Sequence, residues 1–214
     1  MKKQINISNL TVGHNKTPLL ENINLSSTSV KMIGLFGRNG QGKSTLLKTI
    51  SGLLPPLNGT FYFDGTDILK LSEKERAKLL SIVSTTQNNV GNITVKDFIA
   101  FGRFPYTNWL GINTNEDNIE IDKAIKLCKL DSFVHRNYDE LSDGEKQKVN
   151  IARAIAQDTP LIILDEPTVH LDLINKVEVL KLLKELSENY NKTIIISTHQ
   201  IEYALQICDE IWLI

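Results

Sequence analysis

The sequence predicts an α/β protein with a mostly parallel sheet, an N-terminal antiparallel β-subdomain and an inserted α-helical subdomain. Three observations carry that expectation. The chain starts with alternating polar and apolar residues in "QINISNL" and "LENINLSS", its middle is dominated by helical periodicity, and its end alternates short apolar runs with amphipathic stretches. A length of 214 residues with 41% hydrophobic residues suffices for a cored domain carrying an inserted subdomain, and excludes a disordered or fibrous chain.

The elements follow in order. The apolar run "KMIGLFG" reads as a third strand. After "GRNGQGKS", the spacing of "STLLKTISGLL" predicts a helix that stops near Gly52 and Pro55-Pro56. "GTFYFDG" reads as a strand and "SEKERAKLL" as a short helix begun by Ser72, with Glu75 placed to close a capping box. From about Thr94 to Ala156, "TVKDFIAFGR", "EDNIEIDKAIKLCKL" and "DGEKQKVNIARAIAQ" each present an apolar helical face. Ser142 is the expected N-cap of the last of these and Glu145 its capping-box partner. "PLIILDE" then reads as a buried strand, followed by a helix around "NKVEVLKLLKELSENY", a strand "KTIIIST", a helix "QIEYALQIC" and a strand "EIWLI". The expected division is residues 1–86 for the first part of the core, 87–157 for the helical subdomain and 158–214 for the second part of the core. The chain stops inside an apolar strand, so a natural continuation is expected beyond it.

Charge and cysteine usage narrow the function. Lys plus Arg number 24 against 25 Asp plus Glu, so no global basic field recruits nucleic acid or anionic lipid, and any anion site must be local. Cys128 and Cys208 lie far apart without CxxC or Cys/His company, which indicates neither a disulfide framework nor zinc and fits a reducing compartment. No secretory leader follows Met1-Lys2-Lys3, and the longest apolar runs fall far short of the roughly 20 residues of a membrane span. A cytoplasmic protein that docks on something spanning the membrane is the expectation.

The chemistry concentrates at strand ends. "GRNGQGKS" satisfies G-x-x-x-x-G-K-[ST] from Gly37 to Ser44, with an apolar strand before it and a helix after. That context predicts a site for the phosphates of a nucleotide with Mg2+. Backbone N–H groups of Gly37, Arg38, Asn39, Gly40, Gln41 and Gly42 wrap phosphate oxygens, Lys43 neutralises the β- and γ-phosphates, and the Ser44 hydroxyl ligates the metal, with Thr45 next to it. The bland alternative, a glycine-rich turn with an incidental Lys-Ser, does not require the strand–loop–helix context. "LIILDEP" ends a strand with Asp165, placed to hold Mg2+ through water, and Glu166, placed to polarise an attacking water. His199 closes "TIIIST" and would reach the γ-phosphate. Alone, a carboxylate pair or a histidine at a strand end is more often structural, so each gains weight from the others.

Taken together, these residues resemble the nucleotide-binding subunits of ABC transporters, over nearly the whole chain and in order. "GRNGQGKST" matches Walker A, Gln87 the Q-loop glutamine, "LSDGE" the signature, "LIILDE" Walker B, "VHLD" the D-loop with Asp172, and His199 the switch histidine. The resemblance implies an ATPase with Gln87 joining Ser44 and Asp165 at Mg2+, and a head-to-tail dimer in which Ser142, Gly144 and Glu145 of one copy meet the nucleotide of the other. A physical route leads there too: the signature helix supplies a second positive N-terminus that the chain's own P-loop does not need, and two-fold symmetry would sandwich two nucleotides. The family pattern is LSGGQ, so Asp143 and Glu145 depart from it by placing carboxylates where phosphate arrives; His170 replaces the commoner small residue of the D-loop. Where the family stacks an aromatic on adenine, "LTVGHN" offers His14, which either stacks or belongs to a turn.

"FGRFPYTNWLG" is rich in aromatics and broken by Gly102, Pro105 and Gly111, so it is not one helix; it either packs the helical subdomain or forms a binding surface. With "LSDGEKQKVNIARAIAQDTP" it resembles the ATPases of importers for iron–siderophore, haem and cobalamin. That implies membrane permease subunits and a substrate-binding protein as partners, a place on the inner face of the membrane, and no nucleic acid. Rival readings are an ATPase of another importer or exporter, a soluble ABC ATPase acting on ribosomes or DNA, and a GTPase, for which the guanine-reading N-K-x-D is missing because "NKVE" ends in Glu178.

Overall fold

Strand β1 (Gln4–His14) turns into β2 (Thr17–Thr28) through Asn15-Lys16. Both turn residues are left-handed, at φ 49° and 66°, the geometry that lets a two-residue hairpin follow the strand twist. Strand β4 (Asn58–Phe63) pairs with the other edge of β1, and the two-residue β5 (Thr66–Asp67) pairs with β4, giving an antiparallel sheet in the order β2-β1-β4-β5. The structure, a computed structural model, describes residues 3–28, 31–84, 90–108, 111–169 and 171–214.

The second sheet is parallel throughout, in the order β6-β7-β8-β3-β9. Its strands are β3 (Met32–Phe36), β6 (Leu80–Val83), β7 (Leu161–Leu164), β8 (Thr193–Thr198) and β9 (Glu210–Leu213), with β7 and β8 buried at every position. Continuous apolar runs are what a sheet covered on both faces needs. The strand period of two then divides the side chains between two cores. Met32, Ile162, Leu164, Ile194 and Ile196 point into one with the helical subdomain and α6 (Leu173–Asn189). Ile33, Leu35, Leu161, Ile163 and Ile195 point into the other, with α1 (Lys43–Ile50) and the antiparallel sheet's Ile5, Ile7 and Phe61. Each such side chain contributes about 1.5–3 kcal/mol by burial, so the sheet is the joint on which both layers depend.

Strand β6 escapes a sequence reading. Helix α2 (Glu73–Leu79), with the expected Ser72–Glu75 capping box, ends directly into it: Leu80 is both the helix C-cap and the first strand residue. No turn residue separates the two, so "AKLLSIV" carries no boundary signal. The edge strand is secured by a hydrogen bond between the Ser81 and Thr159 hydroxyls, 3.0 Å apart, with Thr159 donating onward to the Leu161 carbonyl at 2.9 Å.

Helices α3 (Val95–Ala100), α4 (Asn115–Leu127) and α5 (Asp143–Ala156) pack on one another. Beyond α3 the chain tightens into a 3-10 turn, Phe101–Arg103. Gly102 is required there, because a Cβ would sit 2.3 Å from the Arg153 carbonyl oxygen of α5. The next residue, Arg103, is buried: its Nε donates to Asp117 Oδ1 of α4 at 2.8 Å and its Nη1 to the Ala156 carbonyl at 2.7 Å, while its guanidinium lies 4.0 Å from the Tyr106 ring. Packing is therefore one role of "FGRFPYTNWLG". Phe101, Phe104 and Tyr106 nonetheless stay exposed, by 37%, 57% and 36%, and Trp109 and Leu110 lie outside the described residues.

Asp117 is both the counter-charge of Arg103 and the capping-box partner of Thr114. Burial works to raise its carboxyl, but the Thr114 N–H, the Arg103 guanidinium and the Thr114 hydroxyl outweigh it, and the group titrates below the usual carboxylate range. We predict that Asp117→Ala costs about 3–5 kcal/mol in urea unfolding at pH 7, the cost of leaving a buried cation unpaired. Because the folded value is depressed, this contribution is present above about pH 4, the unfolded value, and lost as pH falls through the folded one. The gap between variant and parent should narrow in acid; a gap under about 1 kcal/mol at pH 7 would show the pair to be dispensable.

Candidate functional site: a phosphate loop facing two strand ends

The parallel register aligns the ends of three strands. Leu164 of β7 sits opposite Ile196 of β8, which sits opposite Gly34 of β3. One residue further on, Asp165 comes level with Ser197; beyond that, Glu166, His199 and the loop after Phe36 emerge on one edge.

The loop from Gly37 to Gly42 enters α1 with Gly40 and Gly42 at φ 82° and 98°, and Gly42 is the helix N-cap. Lys43 folds back over the loop: Nζ donates to the Gly37 carbonyl at 2.8 Å and the Arg38 carbonyl at 3.1 Å, and lies 3.4 Å from Glu166 Oε1. Its side chain is only 5% exposed, and these three partners stabilise the buried ammonium. The Arg38 N–H is held by the Gln41 side chain. Asn39, Gly40, Gly42, Lys43, Ser44, Thr45, Asp165 and Glu166 line a cavity of about 320 Å3. His14 is exposed at the end of β1, with Nε2 3.5 Å from Thr45 Oγ1, which places the ring beside the first turn of α1.

Asp165 and Glu166 are positioned by a residue that sequence reasoning missed. The fully buried Ser197 hydroxyl donates to Asp165 Oδ1 at 2.7 Å and accepts the Glu166 N–H at 2.8 Å. Glu166 is held at φ 44°, a left-handed conformation that costs a non-glycine residue about 1–3 kcal/mol and gathers at functional sites. Its two carboxylate oxygens lie between opposite neighbours: Oε1 beside Lys43, and Oε2 3.4 Å from His199 Nδ1. The available signal is a lone serine after the apolar run "TIII".

The remaining expected residues gather elsewhere. Ser142 caps α5, its N–H donating to Glu145 Oε2 at 2.8 Å and its hydroxyl accepting the Glu145 N–H at 3.4 Å. The Ser142 N–H, helped by its hydroxyl and by Arg136, holds the Glu145 carboxyl below its ordinary range. Gly144 is packed against α6: a Cβ would lie 3.0 Å from Asn175 Nδ2. Asn175 in turn donates its N–H and side-chain amide to Asp172, the N-cap of α6, at 2.8 and 2.9 Å. Ser142, Gly144, Glu145 and Asp172 are absent from the lining of the phosphate cavity. Gln87 and His170 lie outside the described residues.

The cavity suits a nucleotide and a hard cation. The Ser44 hydroxyl and Asp165 carboxylate line the same space, and oxygen donors in that number suit Mg2+, which takes one or two protein ligands plus phosphate and water. No cluster of three His, Cys, Asp or Glu side chains forms among the described residues, so an all-protein cage is not on offer there.

A glycine loop between a parallel strand and a helix, with a buried lysine folded over it, defines a P-loop nucleotide-binding protein. The family profile of ABC transporters matches residues 20–169, and the chain belongs to that family. It is 38% identical to the achromobactin transport ATP-binding protein CbrD of Dickeya dadantii, over 94% of this chain and 74% of that one. It is also 38% identical to the petrobactin import ATP-binding protein YclP of Bacillus subtilis, over 97% of this chain and 81% of that one. Among solved structures, an ATP-binding cassette captured as a dimer after hydrolysis, with ADP and Pi, superposes with a TM-score of 0.84 at 27% identity, covering 98% of this chain and 94% of that one. The chain is an ATP-binding ATPase of this family.

Ser197→Ala strands the Glu166 N–H and removes the hydroxyl from Asp165. We predict a loss of about 1–3 kcal/mol in urea unfolding, the cost of a buried donor left unsatisfied; an unchanged midpoint would show that water replaces the hydroxyl.

Proposed function

We propose that the chain is the ATP-hydrolysing subunit of an importer for an iron–siderophore or related metal-bearing compound, acting on a separate membrane permease. The observation that carries this is the Glu166 carboxylate, suspended between Lys43 and His199 at the mouth of the phosphate loop. Residues Gly37 to Thr45 cradle the triphosphate and Lys43 neutralises it. Glu166, relieved of Lys43 by the arriving phosphate, acts as general base on water, with His199 sensing the γ-phosphate. Ser44, Asp165 and Gln87 would hold Mg2+, which would supply charge neutralisation for the transferring phosphoryl group, and His14 would lie beside the adenine.

Two copies meet head to tail, each bringing Ser142 and Gly144, with Glu145 and Asp172 in support, to the other's nucleotide. That reading accounts for their absence from the chain's own cavity. ATP then favours closure; reversing an open-to-closed equilibrium needs roughly 5.5 kcal/mol of differential binding, within reach of two nucleotides each gripped from both sides. The helical insertion 87–157 carries the signature, and residues 1–86 and 158–214 form the core. A groove of about 480 Å3 between them, with Leu53 and Arg76 on one wall and Phe101, Gly102 and Arg153 on the other, receives the permease. A substrate-binding protein completes the importer, and the subunit works on the inner face of the cell membrane. No helix among the described residues is long and apolar enough to cross a membrane. The importer class is favoured by the likeness to CbrD, named for achromobactin transport, and to YclP, named for petrobactin import.

Glu166→Gln should keep ATP affinity, reduce turnover at least about a hundredfold, the lower end of what a general base contributes, and accumulate dimer in ATP by light scattering. Full ATPase activity in that variant overturns the assignment of the base.

A further inference from the structure

A second cavity, of about 170 Å3, shares Glu166 with the nucleotide cavity and is lined on its other sides by Thr168, Lys176, Thr198, His199 and Gln200. Of its lining, the hydrolytic reading uses Glu166 and His199 and leaves Thr168, Lys176, Thr198 and Gln200 without a role. We infer that it is a product subsite, which receives inorganic phosphate after β–γ cleavage and holds it through the ammonium of Lys176. The inference rests on the proposed reading of Glu166 as general base.

The chemistry of the walls is that of an oxyanion site. Lys176, on α6, makes no ion pair or side-chain hydrogen bond with another described residue and lines the cavity, whereas Lys184 pairs with Glu188 and Asp209, and Lys148 with Glu178. Thr168 and Thr198 are each 7% exposed, and Thr198 Oγ1 already accepts the Gln200 N–H at 3.0 Å, so its proton is left to donate inward. A cation and two hydroxyl donors around one small space match a tetrahedral anion with several acceptor oxygens. Among the described residues, Glu166 is the only carboxylate in the lining.

In hydrolysis the water oxygen bonds to the γ-phosphorus, the bridging oxygen leaves with ADP, and the water proton passes to Glu166, so inorganic phosphate is released at the boundary the two cavities share. Lys176 draws it away from the ADP, which lowers the rate of the back reaction. His199, 3.4 Å from the same carboxylate, lines the passage and is the group placed to take the proton onward.

The test titrates inorganic phosphate into the full chain saturated with Mg–ADP, by calorimetry, for the parent, Lys176→Gln, Thr168→Val and Lys176→Arg. Removing one charged donor should weaken phosphate binding about tenfold or more, with ADP affinity and thermal midpoint unchanged; Thr168→Val should weaken it less, and Lys176→Arg should restore it. Phosphate affinity equal in Lys176→Gln and parent overturns the inference. ATP turnover of the parent, measured alongside, separates the two readings: phosphate binding that depends on Lys176 in a protein that hydrolyses no ATP would sink the base assignment while leaving the anion site in place.

Discussion

The register of the parallel sheet is the constraint on which everything else rests. With Leu164, Ile196 and Gly34 in one row, the chain has to leave β7, β8 and β3 at the same edge, and the loops that follow have nowhere to go but into one another's company. Ligand sites in such sheets gather outside the carboxyl ends of the strands for this reason. A one-residue slip of β8 would turn Ser197 toward a core and remove the hydroxyl that links Asp165 to the Glu166 N–H. Both cores resist that slip, because Ile194, Ile195 and Ile196 would each exchange faces. Hydrophobic patterning thus sets the position of a carboxylate to within a hydrogen bond.

The site stores charge in opposition. Lys43 is buried and needs acceptors; two come from its own loop and the third is Glu166. A triphosphate is a far stronger partner for that ammonium than one carboxylate. On the proposed reading, nucleotide binding competes directly with the Lys43–Glu166 contact and leaves Glu166 with His199 on its other side. Glu166 itself is held in a left-handed backbone conformation. Its strain, about 1–3 kcal/mol, is offset by the Ser197 bond and by the cores that hold both strands.

Much of this is legible in the amino-acid sequence. The strand runs, the glycine loop with its flanking elements, and the capping boxes at Ser72 and Ser142 are local, and local patterns fix them. What escapes is either too short or too distant. Strand β6 has four residues and no turn before it; β5 has two. Ser197 matters through Asp165 and Glu166, 32 and 31 residues away in sequence, and Arg103 through Asp117, the Ala156 carbonyl and the Tyr106 ring. A lone polar residue in an apolar run, or an arginine between aromatics, gives notice that a partner exists without saying which. Lys176 gives none, because a lysine on an amphipathic helix reads as solvated until the cavity it lines is seen.

The departure of "LSDGE" from LSGGQ looks unfavourable to phosphate until the capping box is considered. Glu145 sits at the third position of α5, and its carboxylate is turned back onto the Ser142 N–H and hydroxyl, with Arg136 3.8 Å away. The negative charge is thereby engaged by the helix's own start, and its carboxyl stays ionised over a wider pH range than a free one. Gly144, packed on Asn175, keeps an N–H for which the helix provides no acceptor. On the proposed dimer reading, a helix start that has engaged the Glu145 carboxylate and kept an open donor is one that receives an anion. Because Asn175 also ties Asp172, the same contact joins the starts of α5 and α6. On the proposed dimer reading, a second copy's phosphate pulling on one helix start is felt by the other, and through α6 by Lys176.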